Sequence, residues 1–284
     1  MDKAVHPLID MIKRKVVPLG MQSFTTDPAF VEVVGHAGYD FVMLDTEHAP
    51  NHPRAMETLI RAAEGVGLMP FVRVPDVHCE ADIRRALEAG ATGVFLPMVR
   101  GPEDIRAAAS AAFFPPKGQR GVCPAMRASG YSLVGLQAYT ERNNSQTLLI
   151  PIIENPEAVM NIEAICALDD VQVIAFGVGD LSFAMGQGFA MMSSPEVRAA
   201  YAAVLQAARH HGVAIVGGPV LGGDADACRK ALDDGINVFS VGLDILGFRK
   251  FCEQMSDAVS TGLRPTEYRR AERSSTGFTP SVER

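Results

Sequence analysis

Short apolar runs alternate along most of the chain with stretches in which apolar residues recur at helical spacing. The strand-like runs fall at 16–21, 40–45, 68–74, 93–98, 148–153, 171–176, 213–216 and 237–241. A strand buried on both faces reads as a continuous Val/Ile/Leu/Phe run rather than an alternating one, so these eight are expected to form a parallel sheet covered by helices. The expected helices lie at 28–37, 53–64, 80–89, 103–112, 156–167, 195–211 and 225–234, with one more at 246–259 after the last strand. Three open on a proline behind a capping residue, at Asp27-Pro28, Asn155-Pro156 and Ser194-Pro195. Glycines at 38, 67, 90, 212 and 235 stand where helices should end, because glycine tolerates the left-handed conformation that closes a last turn.

Strand plus helix repeated eight times predicts a (β/α)8 TIM barrel of the α/β class. A doubly wound open sheet is the alternative, but no G-x-G-x-x-G follows the first strand, and Gly177-Val178-Gly179-Asp180 lacks the third glycine. Residues 1–261 are read as one barrel domain. The stretch 262–284 is polar and basic and reads as a flexible or partner-contacting tail. Residues 114–146 show no clear apolar period and read as a long loop.

Four runs end in charge: FVMLDTEH (41–48), FVRVP (71–75), LLIPIIEN (148–155) and VIAFGVGD (173–180). In such a barrel the site lies at the carboxyl ends of the strands, which would gather Asp45, Glu47, His48, Arg73, Glu154 and Asp180 on one rim. Glu154 and Asp180 offer two hard oxygen ligands for Mg²⁺ or Mn²⁺; the plain alternative is that each caps the helix after it. Asp45 stands three residues before His48, a spacing that lets a carboxylate orient an imidazole as general base, although a lone loop histidine is often only a surface residue. Arg73 within an apolar strand implies an anionic partner, either substrate or a structural ion pair with Asp45 or Glu47.

Composition narrows the classes. The net charge of −7 and the absence of long basic runs exclude nucleic acid and anionic membrane as main partners. No apolar run approaches a membrane span, and the N-terminus has no separate apolar core of a signal, so a cytoplasmic enzyme is expected. The five cysteines show no C-x-x-C spacing and read as idle thiols.

The motifs L-D-T-E-H-A-P (44–50), V-R-V-P (72–75), G-V-F-L-P-M-V (93–99), F-P-P-K-G-Q-R-G-V (114–122), I-I-E-N-P-E-A (152–158) and G-V-G-D-L-S-F-A-M-G (177–186) resemble the HpcH/HpaI family of class II pyruvate aldolases over about residues 17–250. The resemblance implies a metal-dependent aldolase that cleaves or forms a 4-hydroxy-2-oxo acid, giving pyruvate and an aldehyde through a metal-stabilised enolate. It implies a divalent metal (Mg²⁺, Mn²⁺ or Co²⁺) on Glu154 and Asp180, and His48, oriented by Asp45, exchanging a proton with the C4 hydroxyl. Arg73 would sit on the keto oxygen, Gly179 and Asp180 would offer backbone N–H groups to the pyruvate carboxylate, and Glu47 would belong to the water network. Arg120 and Gln22 are further candidate substrate contacts. Relatives of this kind imply a hexamer of dimers that exchange the last barrel helix. Ile152 stands where the namesake branch often has Gln, and Gly177-Val178-Gly179 where it has Gly-Pro-Ala. With Met21, Phe24, Met126 and Tyr131 these departures point to a less polar acceptor pocket. Three other readings stay open: an acyl-CoA carbon–carbon lyase, an oxaloacetate-type decarboxylase, and an inactive barrel serving as a binding protein.

Overall fold

A computed structural model describes residues 5–217 and 225–263. The chain divides between Ile245 and Leu246 into two compact units. The first holds eight strands: β1 (Leu19–Ser23), β2 (Phe41–Asp45), β3 (Met69–Arg73), β4 (Gly93–Leu96), β5 (Leu148–Ile153), β6 (Val173–Phe176), β7 (Ala214–Gly217) and β8 (Val238–Leu243). Each pairs in parallel with the next, and β8 returns to β1, so the sheet is a closed (β/α)8 barrel. The expected fold class is the observed one.

The helices are α1 (Pro7–Lys13), α2 (Pro28–His36), α3 (Pro53–Gly65), α4 (Glu80–Ala89), α5 (Pro102–Ala112), α6 (Leu136–Gln146), α7 (Pro156–Met160), α8 (Ile162–Cys166), α9 (Val178–Ala184), α10 (Pro195–His211), α11 (Ala225–Asp234) and α12 (Asp244–Gly262). Asp27, Asn155 and Ser194 cap α2, α7 and α10 through side-chain oxygens, as their Pro-led sequences predict. The five helix-ending glycines all adopt positive φ, Gly90 at 115° and Gly212 at 68° among them.

Alternation along the strands sorts two cores. Val42, Leu44, Val72, Val94, Leu149 and Ile174 face outward to the helices, while Phe41, Met43, Phe71, Phe95, Ile150 and Ile152 fill the interior. Phe71 meets Phe41 and Phe95 edge-on with ring centroids at 5.7 and 5.8 Å. Gly20 of β1 is obligatory, because a Cβ there would fall 2.1 Å from the Phe41 ring. Below this layer α1 supplies Leu8 and Ile9 to the same interior cluster and stops the end of the barrel where the strands begin.

Two expectations need correction. Residues 114–146 are not one loop: α6 occupies their end and a 3-10 turn spans Arg127–Ser129. The helix was hidden because LQAYTERNNSQ buries only Tyr139. The segment read as one helix at 156–167 breaks at Asn161 into α7 and α8. α1 had no counterpart in the strand–helix pattern. The expected boundary near 261 falls within the unit that begins at Leu246, and residues 264–284 of the expected tail lie outside the described residues.

Candidate active site at the barrel rim

Strand parity selects the residues. If Phe41 and Met43 point inward, so does Asp45; Phe71 likewise selects Arg73, and Ile150 and Ile152 select Glu154. These three charges sit directly above an apolar layer, at the carboxyl ends of β2, β3 and β5. Asp45 and Arg73 are register partners. Both residues are buried, at 0% and 8% exposure, and their side chains lock in a forked pair, Arg73 Nε donating to Asp45 Oδ1 at 3.0 Å and Nη2 to Oδ2 at 2.8 Å. Arg73 Nη1 also reaches Glu47 Oε2 at 3.1 Å. Burial works against the guanidinium charge, but the Asp45 hydrogen bonds and charge outweigh it and hold Arg73 above its ordinary range. The ring of Phe24 lies 5.9 Å from its centre.

Asp45 does not orient the imidazole of His48 as the spacing suggested. Its carboxylate accepts the backbone N–H groups of Glu47 (2.9 Å) and His48 (3.2 Å), so it fixes the turn that carries them. Asn51 Nδ2 donates to the Asp45 carbonyl at 2.7 Å and closes the same turn. The acid beside the imidazole is Glu47, whose Oε2 is 3.5 Å from His48 Nε2. Burial pushes Glu47 above the usual carboxylate range. The His48 side chain is 60% exposed, which leaves it open to a ligand.

Glu154 is 4% exposed and does not cap α7; Asn155 does, accepting Ala158 N–H at 2.9 Å. Asp180 stands in the first turn of α9, which has no side-chain cap. The capping alternative therefore fails for both carboxylates. Glu154 Oε1 instead accepts the backbone N–H of Met98 at 2.5 Å, and Met98 takes an uncommon φ of 53° at that point. Oε2 lies against Gly177, where a Cβ would come within 2.9 Å of it and 2.6 Å of the Glu154 Cβ. Burial pushes the Glu154 carboxyl up to about 7; the Met98 N–H opposes this, the charges of Asp180 and Glu47 add to it, and Arg73 opposes it. A buried carboxylate under that much strain, with a second carboxylate acting on it and hard oxygen donors only, fits a divalent cation of the Mg²⁺ or Mn²⁺ kind. Glu154 and Asp180 would hold it.

Other candidates separate. Gly179 faces open space, and the first N–H groups of α9 have no partner within the helix. Gln22 is on the rim, its Nε2 donating to Ser240 Oγ at 3.2 Å. Arg120 is not: it is buried under α5 and α6, donating to Tyr139 Oη at 3.3 Å and Asn143 Oδ1 at 3.1 Å and stacking 4.5 Å from the Phe114 ring. The glycine-rich F-P-P-K-G-Q-R-G turn folds the guanidinium inward instead of outward. Met126 is buried with Phe114 and Tyr139. Tyr131 bonds Arg61 and lines a cavity of about 450 Å³ beside His6 and Thr92, at the strand-start end. Of the four residues expected around the acceptor, Phe24 is the one beside Arg73.

Sequence reasoning missed Met98, Gly177 and Asp244. Asp244 is buried and accepts from Ser23 Oγ (2.8 Å) and from the backbone of Phe24 (3.0 Å) and Thr25 (3.2 Å), fixing the β1 end of the rim. Its signal was present, since FSVGLD is a fifth apolar run ending in charge.

Residues 19–250 match the family described as HpcH/HpaI aldolase/citrate lyase. The chain belongs to that family. Among HpcH/HpaI relatives, a 2-dehydro-3,6-dideoxy-6-sulfogluconate aldolase of Pseudomonas putida is 31% identical, over 83% of this chain and 89% of the relative. A 5-keto-4-deoxy-D-glucarate aldolase of Shigella boydii is 32% identical over 86% and 92%. A family member from Burkholderia cenocepacia superposes with a TM-score of 0.82 at 28% identity, covering 90% of this chain and all of that one. A citrate synthase superposes at 0.79 and 26%, covering 90% and 98%. The relatives' names make this an enzyme family of carbon–carbon lyases. No helix among the described residues is long and apolar enough to cross a membrane.

Proposed function

We propose that the chain is a divalent-metal-dependent aldolase that splits a 4-hydroxy-2-oxo acid into pyruvate and an aldehyde, or joins them. The observation that carries this reading is the buried Glu154, on which the charges of Asp180, Glu47 and Arg73 all act, with Arg73 itself held by Asp45 and Glu47. Breaking the C3–C4 bond leaves an electron pair that settles on the keto oxygen as an enolate. Arg73, fixed by two carboxylates, holds positive charge where that oxygen would lie. His48 takes the C4 hydroxyl proton in cleavage and returns it in synthesis, with Glu47 beside it to stabilise the imidazolium. Glu154 and Asp180 would hold the divalent ion, which would supply Lewis-acid stabilisation of the same developing charge. The unpartnered N–H groups of Val178, Gly179 and Asp180 suit the substrate carboxylate.

A Schiff-base route finds no support in the placement of the lysines: Lys117 pairs with Asp170 at 2.8 Å and Lys230 with Asp234 at 2.7 Å. The acyl-CoA reading needs cations at the entrance, yet Lys117, Arg120 and Arg127 are engaged with Asp170, Tyr139 and Glu64. We further propose a homo-oligomer that exchanges α12, supported by Phe248, Phe251, Met255 and Val259, which recur at helical spacing on α12 and are each about half exposed.

The test is pyruvate release from 4-hydroxy-2-oxo acids with short, acidic and sugar-acid tails, after EDTA treatment and after Mg²⁺, Mn²⁺ or Co²⁺ is returned, with Glu154→Ala as control. Metal-restored turnover that the variant lacks supports the reading. Tight metal binding without turnover on any tail overturns it.

A further inference from the structure

A second cluster of ligating side chains lies far from the rim chemistry. α10 ends where the chain turns back into β7, so its last turn belongs to the strand-start end of the barrel, opposite the carboxylate rim. There His210 and His211 converge on Glu163 of α8. His211 Nε2 is 2.8 Å from Glu163 Oε2 and His210 Nδ1 is 3.3 Å from the same oxygen. The two rings stand 4.5 Å apart, tilted by 49°. All three ligand atoms lie within 4.8 Å of one another, the one such set of three among the described residues.

Consecutive residues on a helix point about 100° apart, so two neighbouring imidazoles rarely share one partner. Here the pair sits in the final turn, just before Gly212 takes a φ of 68°, and both rings fold onto one carboxylate. A single histidine would satisfy Glu163 as a hydrogen-bond partner; the second adds a nitrogen ligand. Zinc bonds of about 2.0–2.2 Å place tetrahedral ligands about 3.4 Å apart; the 3.3 Å separation of His210 from Oε2 lies close to that value, and the 2.8 Å contact of His211 would open by about 0.6 Å as an ion replaces its hydrogen bond. The carboxyl end of the seventeen-residue α10 carries partial negative charge that favours a cation. Imidazole nitrogens select Zn²⁺, Cu²⁺, Ni²⁺ or Co²⁺ over Mg²⁺. The groups are accessible, with Glu163 and His210 more than half exposed and His211 partly so.

We propose that Glu163, His210 and His211 form a transition-metal site, with Zn²⁺ as its natural class, that clamps α8 to α10 at the end of the barrel opposite the rim. Two protein helices then share one ion, with solvent completing the coordination. The site is independent of the rim carboxylates in position and in ligand type.

The experiment uses the full-length chain without a purification tag, stripped with EDTA and held in excess Mg²⁺ to occupy the rim. Zn²⁺ is titrated calorimetrically into the wild type, His210→Ala, His211→Ala and Glu163→Gln, and thermal unfolding is followed with and without Zn²⁺. The expected result is one more Zn²⁺ per wild-type chain than per His211→Ala chain. Affinity falls at least tenfold in each variant, the Zn²⁺-dependent rise in Tm is lost, and Mg²⁺-supported turnover is unchanged. Equal Zn²⁺ stoichiometry and affinity in all four proteins overturns the site. That failure would leave metal dependence at the rim untouched, and loss of rim activity in Glu154→Ala would leave the Zn²⁺ count at α8 and α10 unchanged.

Discussion

Arg73 lies directly across the β2–β3 ladder from Asp45, and its guanidinium forks onto both oxygens of that fully buried carboxylate. Removing one member leaves the other charge buried and unpaired, which costs about 3–5 kcal/mol. Arg73→Met and Asp45→Leu are therefore each expected to lower unfolding stability by that order, and the Asp45→Leu/Arg73→Met double variant to recover much of it. Urea unfolding of the four proteins measures the coupling; additive losses would mean the pair is not a unit. Arg73→Lys keeps the charge but not the fork, and its turnover is expected to fall by about two orders of magnitude.

Proton uptake links the rim to stability. Glu154 ionises at about 7 in the fold against 4.5 as a free side chain, so the folded state keeps a proton that the unfolded state releases. Its contribution is full below about pH 4.5 and is lost as pH rises through about 7. His6 runs the other way: burial lowers it from 6.5 to about 4, so its neutral form supports the fold above 6.5 and that support is lost as pH falls to about 4. Between about 4.5 and 6.5 the two slopes oppose each other. In metal-free protein Glu154→Gln is expected to be more stable than wild type at pH 8 by about 3 kcal/mol, and to show the uncompensated acid loss from His6. Denaturation across pH, with and without the substitution, checks both signs.

Metal affinity should carry the same proton. A cation must displace it from Glu154, so binding is expected to strengthen about tenfold per pH unit below about 7 and to level off above it. Mn²⁺ titrations at several pH values read the slope; a flat profile would place the ion elsewhere.

Gly177→Ala tests the space beside Glu154. The added methyl would lie 2.6 Å from the Glu154 Cβ, so the carboxylate must move off the Met98 N–H. The expectation is a metal affinity at least tenfold weaker with barrel circular dichroism retained.

His48→Asn should separate proton transfer from binding. With His48 more than half exposed and paired with Glu47, kcat is expected to fall by about 10²–10⁴ while the metal dissociation constant holds. Glu47→Gln should produce a smaller fall, because it supports the imidazole without exchanging the proton.

The strand count, the Pro-led helix starts and the barrel were legible because each rests on local chemistry or simple periodicity. Asp45, Arg73 and Glu154 were legible for the same reason, as charges that end buried runs, while Asp180 stands exposed in the first turn of α9, four residues past the end of β6. What escaped depends on residues brought together by the fold. Asp45 looked like a partner for the His48 ring because spacing cannot show that its oxygens are spent on Arg73 and on two backbone amides. Arg120 looked like a substrate contact because nothing local reveals that Phe114 and Tyr139 enclose it. Met98 contributes only its backbone, which carries no side-chain signature. Asp244 was passed over because the eighth strand was ended two residues early.

The interior of the barrel beneath the rim is filled by Phe41, Phe71, Phe95, Ile150 and Ile152 and stoppered from below by Leu8 and Ile9. Among the described residues this layer lies between Glu154 and Arg73 and the opposite end of the barrel, so the rim charges rest on an insulating floor. A polar substitution in that floor, at a residue that touches no substrate, would admit screening from beneath. It would relax the raised ionisation of Glu154, tying the acidity of the mouth to how tightly the opposite end is corked.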